Sequence, residues 1–511
     1  MTGTSPRARS SVWANVLLTL ASIALTVAAV EAFVRWLDGQ PILALPMPEP
    51  VGSAQVTPEE LDQVPRAAGV DRAWFYDDPP PLPNRHQPPA EWVRLYDDLQ
   101  NHWPANSQFR PTDVFKAWNS VFAGDPCQHP FLHQAPGRLF VYQPIDGIAS
   151  PPYRFQPNVT QPDRLVTNQI GWRGRPIEFP RPSRTVRIVF VGASTTVDGH
   201  YLPFSHPEFV GHWLNLWAAA RHPDVHFEVL NAGRESNVST DIANIVHNEV
   251  LPLRPDLVVY YEGSNQFRPA SIVDKVPAGA AVRPPQTEAR ILPQWLRAAS
   301  RYSELMARVA SAVGYAASER DGREWPKPDY RVVWPAGLSE IDPDLSYPEL
   351  PVTLNVILHD LDRIRSDLAA IDAQLALSSF IWIVKDGMVL DPIRHRYILE
   401  QLNVANYPFR YRELERLAKF QNRVFEKYAK THGVPFIDAA RVMPFDPDLF
   451  EDAIHASYSG VRLHGWVDLQ LLLPTIEKHL ADGSWPKSAQ PDLPLPTFQP
   501  KEITFDCKPG R

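Results

Sequence analysis

Val186-Arg187-Ile188-Val189-Phe190-Val191-Gly192-Ala193-Ser194 decides the fold. The run is short and rich in β-branched residues, and it stops at a glycine followed by two small residues, as a strand does before a tight turn. Just downstream, residues 209–220 place Phe209, Trp213, Leu214 and Trp217 on one side of a helix, completing a strand–helix unit. The unit recurs. Phe227-Glu228-Val229-Leu230 leads into Asn231 and a helix at about 240–250, and residues 257–261 lead into Gly263. Phe380-Ile381-Trp382-Ile383-Val384 reads as a fourth strand and Pro435-Phe436-Ile437 as a fifth, with helices expected at about 352–376, 411–432 and 459–480. Continuous apolar strands between amphipathic helices imply an α/β protein with a doubly wound parallel five-stranded sheet, covered on both faces.

Five segments then share one arrangement, in which a hydrophobic run gives way to a small or polar residue. They are Gly192-Ala193-Ser194, Asn231-Ala232-Gly233, Gly263-Ser264-Asn265, Ile437-Asp438 and Asp452-Ala453-Ile454-His455. In open α/β sheets the reactive groups gather at the carboxyl ends of the strands, where loops and helix starts turn their donors into one crevice. A serine hydroxyl needs a base within reach and a group to orient that base. Ser194 has candidates in His455 as base and Asp452, three positions earlier, as orienter. The site differs from a Gly-x-Ser-x-Gly elbow, whose second glycine would stand at Thr196. His200, His206, His212 and His464 read as ordinary loop or helix histidines, and no spacing calls for a metal or other cofactor.

These blocks resemble the SGNH (GDSL-like) hydrolase superfamily, with Ser194, Gly233, Asn265 and His455 in the four named positions. Thr167-Asn168-Gln169-Ile170-Gly171-Trp172-Arg173-Gly174 is similar to the entry segment of membrane-anchored bacterial members, while Ala193 and Gln266 stand where aspartate is usual. The resemblance implies a flavodoxin-like three-layer sandwich. It also implies an oxyanion hole made of the Ser194 and Gly233 backbone N–H groups and the Asn265 amide. The implied activity is that of a serine esterase acting on O-acyl esters, acetyl above all. Two alternatives stand beside it: an O-acetyltransferase acting on an envelope polysaccharide, and a non-catalytic glycan-binding or assembly protein. The implied partners are an acyl ester substrate, an envelope glycan and a membrane acyltransferase.

The formal charge of −8 over 511 residues includes no basic block, which argues against a nucleic-acid surface. Residues 12–34 form an apolar anchor long enough to cross a bilayer. Arg7 and Arg9 in the short 1–11 tail hold that end in the cytoplasm, and Arg35 and Trp36 suit the far interface. A single-pass protein of the inner (cell) membrane with its main domain in the periplasm is expected; a cleaved signal is the other reading. Residues 35–90, with Asp78-Pro79-Pro80-Pro81-Leu82-Pro83, read as an extended stalk. Residues 91–180, including Leu139-Phe140-Val141-Tyr142, read as a small β-containing subregion. The main domain spans 181–482, with an insertion at about 267–350 and a tail at 483–511. Within the insertion, residues 291–316 repeat apolar positions at helical steps, through Trp295, Leu296, Ala299, Tyr302, Leu305, Met306, Val309 and Val313. That face can pack on the domain, cap a pocket or meet a partner. In an oxidising compartment Cys127 and Cys507 could pair.

Overall fold

The strand expected at 186–191 spans Thr185–Gly192 (β2), and every one of its residues is buried. Both faces of this strand are covered, so it carries no polar–apolar alternation. The computed structural model describes residues 8–37, 42–43, 54–101, 139–144, 150–274 except 152, 303–312, 322–487 except 392 and 393, and 493–503. Preceding β2 is β1 (Leu139–Pro144); following it are β3 (His226–Asn231), β4 (Leu257–Tyr261), β5 (Gln374–Ser378), β6 (Phe436–Ile437) and β7 (Phe498–Ile503). The sheet runs β3-β2-β4-β5-β6, and all its pairings are parallel. This order places the topological switch between β2 and β4, the strands whose ends carry Ser194 and Asn265. One group of helices includes His206–Arg221, packed on Tyr458–Ala481; another joins Ser239–Ile245, Leu354–Ala369 and Tyr411–His432. β1 and β7 pair antiparallel, joining the 91–180 region to the C-terminal tail. Cys127 and Cys507 lie outside the described residues.

Two segments differ from the sequence expectation. The fourth strand is Gln374–Ser378, which begins within the last residues of the span expected to be helix (about 352–376), and not Phe380–Val384. The chain leaves the sheet at Ser379. Phe380 is held by the Asn422 side chain through both its N–H (2.8 Å) and its carbonyl (2.9 Å), and the Ile383 N–H donates to Ala453 O at 2.8 Å. Its apolar side chains are still buried, Phe380 stacking on Tyr261 at 5.2 Å. Burial alone therefore does not distinguish a core loop from a strand.

Much of the proline-rich segment is not an extended stalk but part of the core. Thr57 and Glu60 form a capping box for the helix Pro58–Gln63, and Leu61, Val64 and Phe75 are buried. Phase-setting contacts come from the aromatic face of two helices: Phe75 lies 6.2 Å from Trp213 and 5.6 Å from Trp466, and the Trp213 Nε1–H donates to Trp74 O at 2.6 Å. Prolines forbid a long helix there, but the tryptophans still need cover and a partner for the indole N–H.

Of the insertion helix, the described portion is Glu304–Ala312. It meets the end of the N-terminal helix Ala8–Leu37, where the Glu31 carboxylate accepts the Ser303 hydroxyl (2.6 Å) and the Glu304 and Leu305 N–H groups (both 2.9 Å). Within Ala8–Leu37, residues Trp13–Leu37 are apolar and long enough to cross a membrane.

Candidate active site

Each site residue is placed by the turn that ends its strand. At the end of β2, a Cβ on Gly192 would lie 2.1 Å from Tyr261 O and 2.0 Å from Thr196 Oγ1, so only glycine lets the chain turn there. Ser194 then opens a short helix, Ser194–Val197, and its backbone N–H has no acceptor within that helix. At the end of β3, the Asn231 amide donates to Thr196 O (2.8 Å) while its oxygen accepts the Gly233 N–H (3.0 Å). At the end of β4, the buried Glu262 carboxylate accepts the N–H groups of Ser264 (2.8 Å) and Asn265 (2.7 Å), which folds the loop and turns Asn265 toward the cavity. One hydrogen of the Asn265 amide goes to Asn237 O at 2.7 Å; the second has no acceptor among the described residues.

The base arrives from a distant loop, closed on itself by a Phe450–Ala456 bridge and by the Glu451 N–H donating to His455 O at 2.8 Å. Within it Asp452 accepts the N–H groups of Ile454 (3.0 Å) and His455 (2.9 Å) and the His455 Nδ1–H at 2.8 Å. That bond leaves His455 Nε2 as an acceptor, and it stands 2.8 Å from Ser194 Oγ. Ser194, His455 and Asp452 thus form one continuous hydrogen-bonded chain. Burial alone would raise the Asp452 carboxyl, but the His455 ring and these bonds outweigh it and hold the group at about 2.

A cavity of about 380 Å³ opens over the three residues, with Asn265, Tyr201 and Glu451 in its wall. Of the expected oxyanion donors, Ser194 and Asn265 reach this cavity. Gly233 differs: its N–H is bonded to Asn231 and the residue does not line the cavity. A Cβ there would lie 2.5 Å from Val197 N, so the glycine serves the close approach of β3's loop to the nucleophile's turn. Asp438, which also ends a strand, pairs with Arg441 at 2.5 Å and takes no part. Gln266 likewise is structural, accepting the Ser239 N–H (2.7 Å) at the start of the helix Ser239–Ile245.

Several contributors carry no motif in the sequence. Glu451 adjoins Asp452, and burial followed by the Asp452 charge pushes its carboxyl up to about 8, so it is protonated at neutral pH; it accepts the Tyr201 hydroxyl. Arg173, in the entry segment, is 5% exposed and holds the loop after the nucleophile helix through Val197 O (2.8 Å), Asp198 O (3.2 Å), Gly199 O (3.0 Å) and Leu202 O (2.8 Å). Neighbouring Trp172 donates its indole N–H to the buried Glu249 at 2.8 Å. His200 is fully buried between Asp163 (3.1 Å) and Glu235 (2.6 Å); burial opposes its charge, but the two carboxylates outweigh it and raise its pKa.

The described residues that could hold a metal ion are His206, His464 and Asp468, all buried. His206 Nδ1 bonds Asp198 at 2.8 Å, while the Nε2 atoms of His206 and His464 lie 3.9 and 3.6 Å from Asp468 Oδ2. Their rings stack at 4.3 Å with planes 27° apart. The group joins the helices His206–Arg221 and Tyr458–Ala481 beneath the nucleophile. These two histidines, unremarkable by sequence, are therefore core residues.

No protein-family model matches the chain, and no curated protein matches it. Among solved structures it is similar to an acetylxylan esterase from Geobacillus stearothermophilus, at 14% identity over 56% of this chain and 94% of that one, with a TM-score of 0.29. It is also similar to LAE5, an alpha/beta hydrolase enzyme from the metagenome of Lake Arreo, Spain, at 15% identity over the same shares and a TM-score of 0.29. The functional reading rests on the geometry of the site itself.

Proposed function

We propose that this chain is a serine esterase that cleaves O-acyl esters, acetyl esters of an envelope glycan in particular, and that the helix Trp13–Leu37 anchors it with the site outside the cytoplasm. The observation that carries the reading is the chain from Asp452 through His455 to Ser194 Oγ, with 2.8 Å at each of its two links, opening into a cavity. The four-block resemblance to SGNH hydrolases supports the same chemistry. Ser194 Oγ attacks the ester carbonyl as His455 Nε2 takes its proton, and Asp452 stabilises the imidazolium through Nδ1. Negative charge on the former carbonyl oxygen is met by the Ser194 N–H and the free Asn265 amide hydrogen. His455 then passes its proton to the departing alkoxide, leaving an acyl-serine, which water resolves by the same steps in reverse. A sugar hydroxyl in place of water would make the reaction a transfer.

The test is fluorophosphonate labelling of the full chain in detergent, read together with acetate release from an activated acetyl ester. Ser194→Ala should abolish both while leaving the melting profile unchanged. Labelling that maps to another serine, or survives the substitution, excludes the assignment.

A further inference from the structure

Bonds inside the loop that carries the base fix its shape: Asp452 accepts the Ile454 and His455 N–H groups, and the Glu451 N–H closes on His455 O. Shape alone does not bring His455 Nε2 to Ser194 Oγ; the loop must also be held against the rest of the domain. Ala453 stands at its apex, between the orienting carboxylate and the base, and is fully buried. Both of its backbone groups bond outside the loop. The carbonyl accepts the Ile383 N–H at 2.8 Å, and the N–H donates to Gln401 Oε1 at 2.8 Å, 52 positions away in the chain. Among the described residues, Gln401 is the one side chain from outside the loop that bonds its backbone between Glu451 and His455.

Gln401 is itself firmly mounted. It begins the π-helical turn Gln401–Ala405, which follows the helix Arg396–Glu400; such turns are uncommon and are frequent at functional sites. The next two residues are buried, and the Asn403 side chain accepts the Trp325 N–H (2.9 Å) and donates to the Tyr411 hydroxyl (2.7 Å). Just before the helix, His395 accepts the Asp391 N–H at Nδ1 (3.1 Å), which leaves Nε2–H to donate to Asp448 Oδ1 at 2.5 Å. Residues 395–401 therefore grip the approach to the loop at Asp448 and its apex at Ala453. Gln401 also lines the cavity over Ser194.

We propose that Gln401 is a positioning residue for the reaction: by holding the Ala453 N–H it sets where Asp452 and His455 stand relative to Ser194. The role rests on the acyl-ester reading above and adds to it a residue that no sequence block marks. Without the amide oxygen a buried N–H loses its acceptor, and the peptide between Asp452 and Ala453 turns to find another. The base then meets Ser194 out of line, so the chemical step slows while the cavity still admits the ester.

The test measures the rate and the end point of fluorophosphonate labelling for the full chain in detergent, beside kcat and KM for 4-nitrophenyl acetate. Gln401→Leu has no acceptor, and the milder Gln401→Asn is the same amide one methylene short. Both should slow labelling and lower kcat, the leucine variant by about tenfold to a hundredfold, with KM little changed and labelling still running to completion. Gln401→Glu keeps an oxygen for the Ala453 N–H and should restore most of the labelling rate, measured at about pH 9 so that the added carboxylate does not keep His455 protonated. Parental labelling rates in both Gln401→Leu and Gln401→Asn overturn the proposal. So does a fall in the labelled fraction at an unchanged rate, which is loss of folded protein, and so does a loss confined to KM, which makes Gln401 a binding contact. Gln401→Glu as slow as Gln401→Leu overturns it too, because the missing bond is then not the cause. A parent chain that neither labels nor turns over the ester removes the acyl-ester reading itself, and this role with it.

Discussion

Replacing Glu451 by glutamine should stabilise the protein in alkali. Glu451 is 7% exposed, and its carboxyl is shifted from an ordinary 4.5 to about 8, first by burial and then by the charge of Asp452. An acid whose folded pKa is raised binds more protons folded than unfolded between those two values, so stability falls as pH rises from about 4.5 to about 8 and stays low above. The full displacement corresponds to about 4–5 kcal/mol, at about 1.4 kcal/mol for each tenfold step in proton affinity. The Tyr201 hydroxyl donates to Glu451 and favours the carboxylate, which makes that figure an upper bound. About 2–4 kcal/mol is therefore the expected gain of Glu451→Gln at pH 9, with little difference at pH 5, where the parent carboxyl is mostly protonated and glutamine still accepts the Tyr201 hydroxyl. Glu262 and Asp468, both pushed by burial to about 7, titrate over much of the same window with the same sign. Only the difference between variant and parent isolates Glu451. Melting curves of the full chain in detergent at pH 5, 7 and 9 provide it, the gain at pH 9 being about 2–6 °C. A variant that melts at or below the parent at pH 9 refutes the claim that a buried proton sits on Glu451.

The site predicts a graded series in acetate release from an activated ester: His455→Ala should remove turnover, Asp452→Asn should reduce it less because the base remains, and Asn265→Ala should cost about 10²–10³-fold through loss of one oxyanion donor. Full activity in His455→Ala would rule out the mechanism. Arg173→Leu removes a buried guanidinium from four carbonyls and from Glu208 (3.4 Å), and should cost about 3–5 kcal/mol in a melting experiment; Arg173→Lys keeps the charge but not the fork and should still slow labelling of Ser194. If the helix Trp13–Leu37 spans the membrane with the domain outside, an alkaline phosphatase fused after Gln40 is active and a cytoplasmic reporter fused there is silent.

The sequence alone sufficed for features whose cause is local. Gly192 before Ser194 marks a strand end because a side chain cannot fit that turn, and Asp452 and His455, three positions apart, can meet within a single loop. Tyr411–His432 matched its sequence expectation because its 22 residues carry a sustained helical period. Tertiary structure decided what depends on residues far apart in the chain. It brought His455 to Ser194 across 261 positions, bonded the Gly233 N–H to Asn231 instead of leaving it for a ligand, and put Glu451, Tyr201 and Arg173 around the nucleophile. It also drew Leu61 and Phe75 from a proline-rich segment into the core and made Phe380–Val384 a loop. An apolar residue declares only that it will be buried. Which backbone groups it leaves to be satisfied, and which charged neighbours fix its polar companions, is set by partners that the folded chain alone supplies.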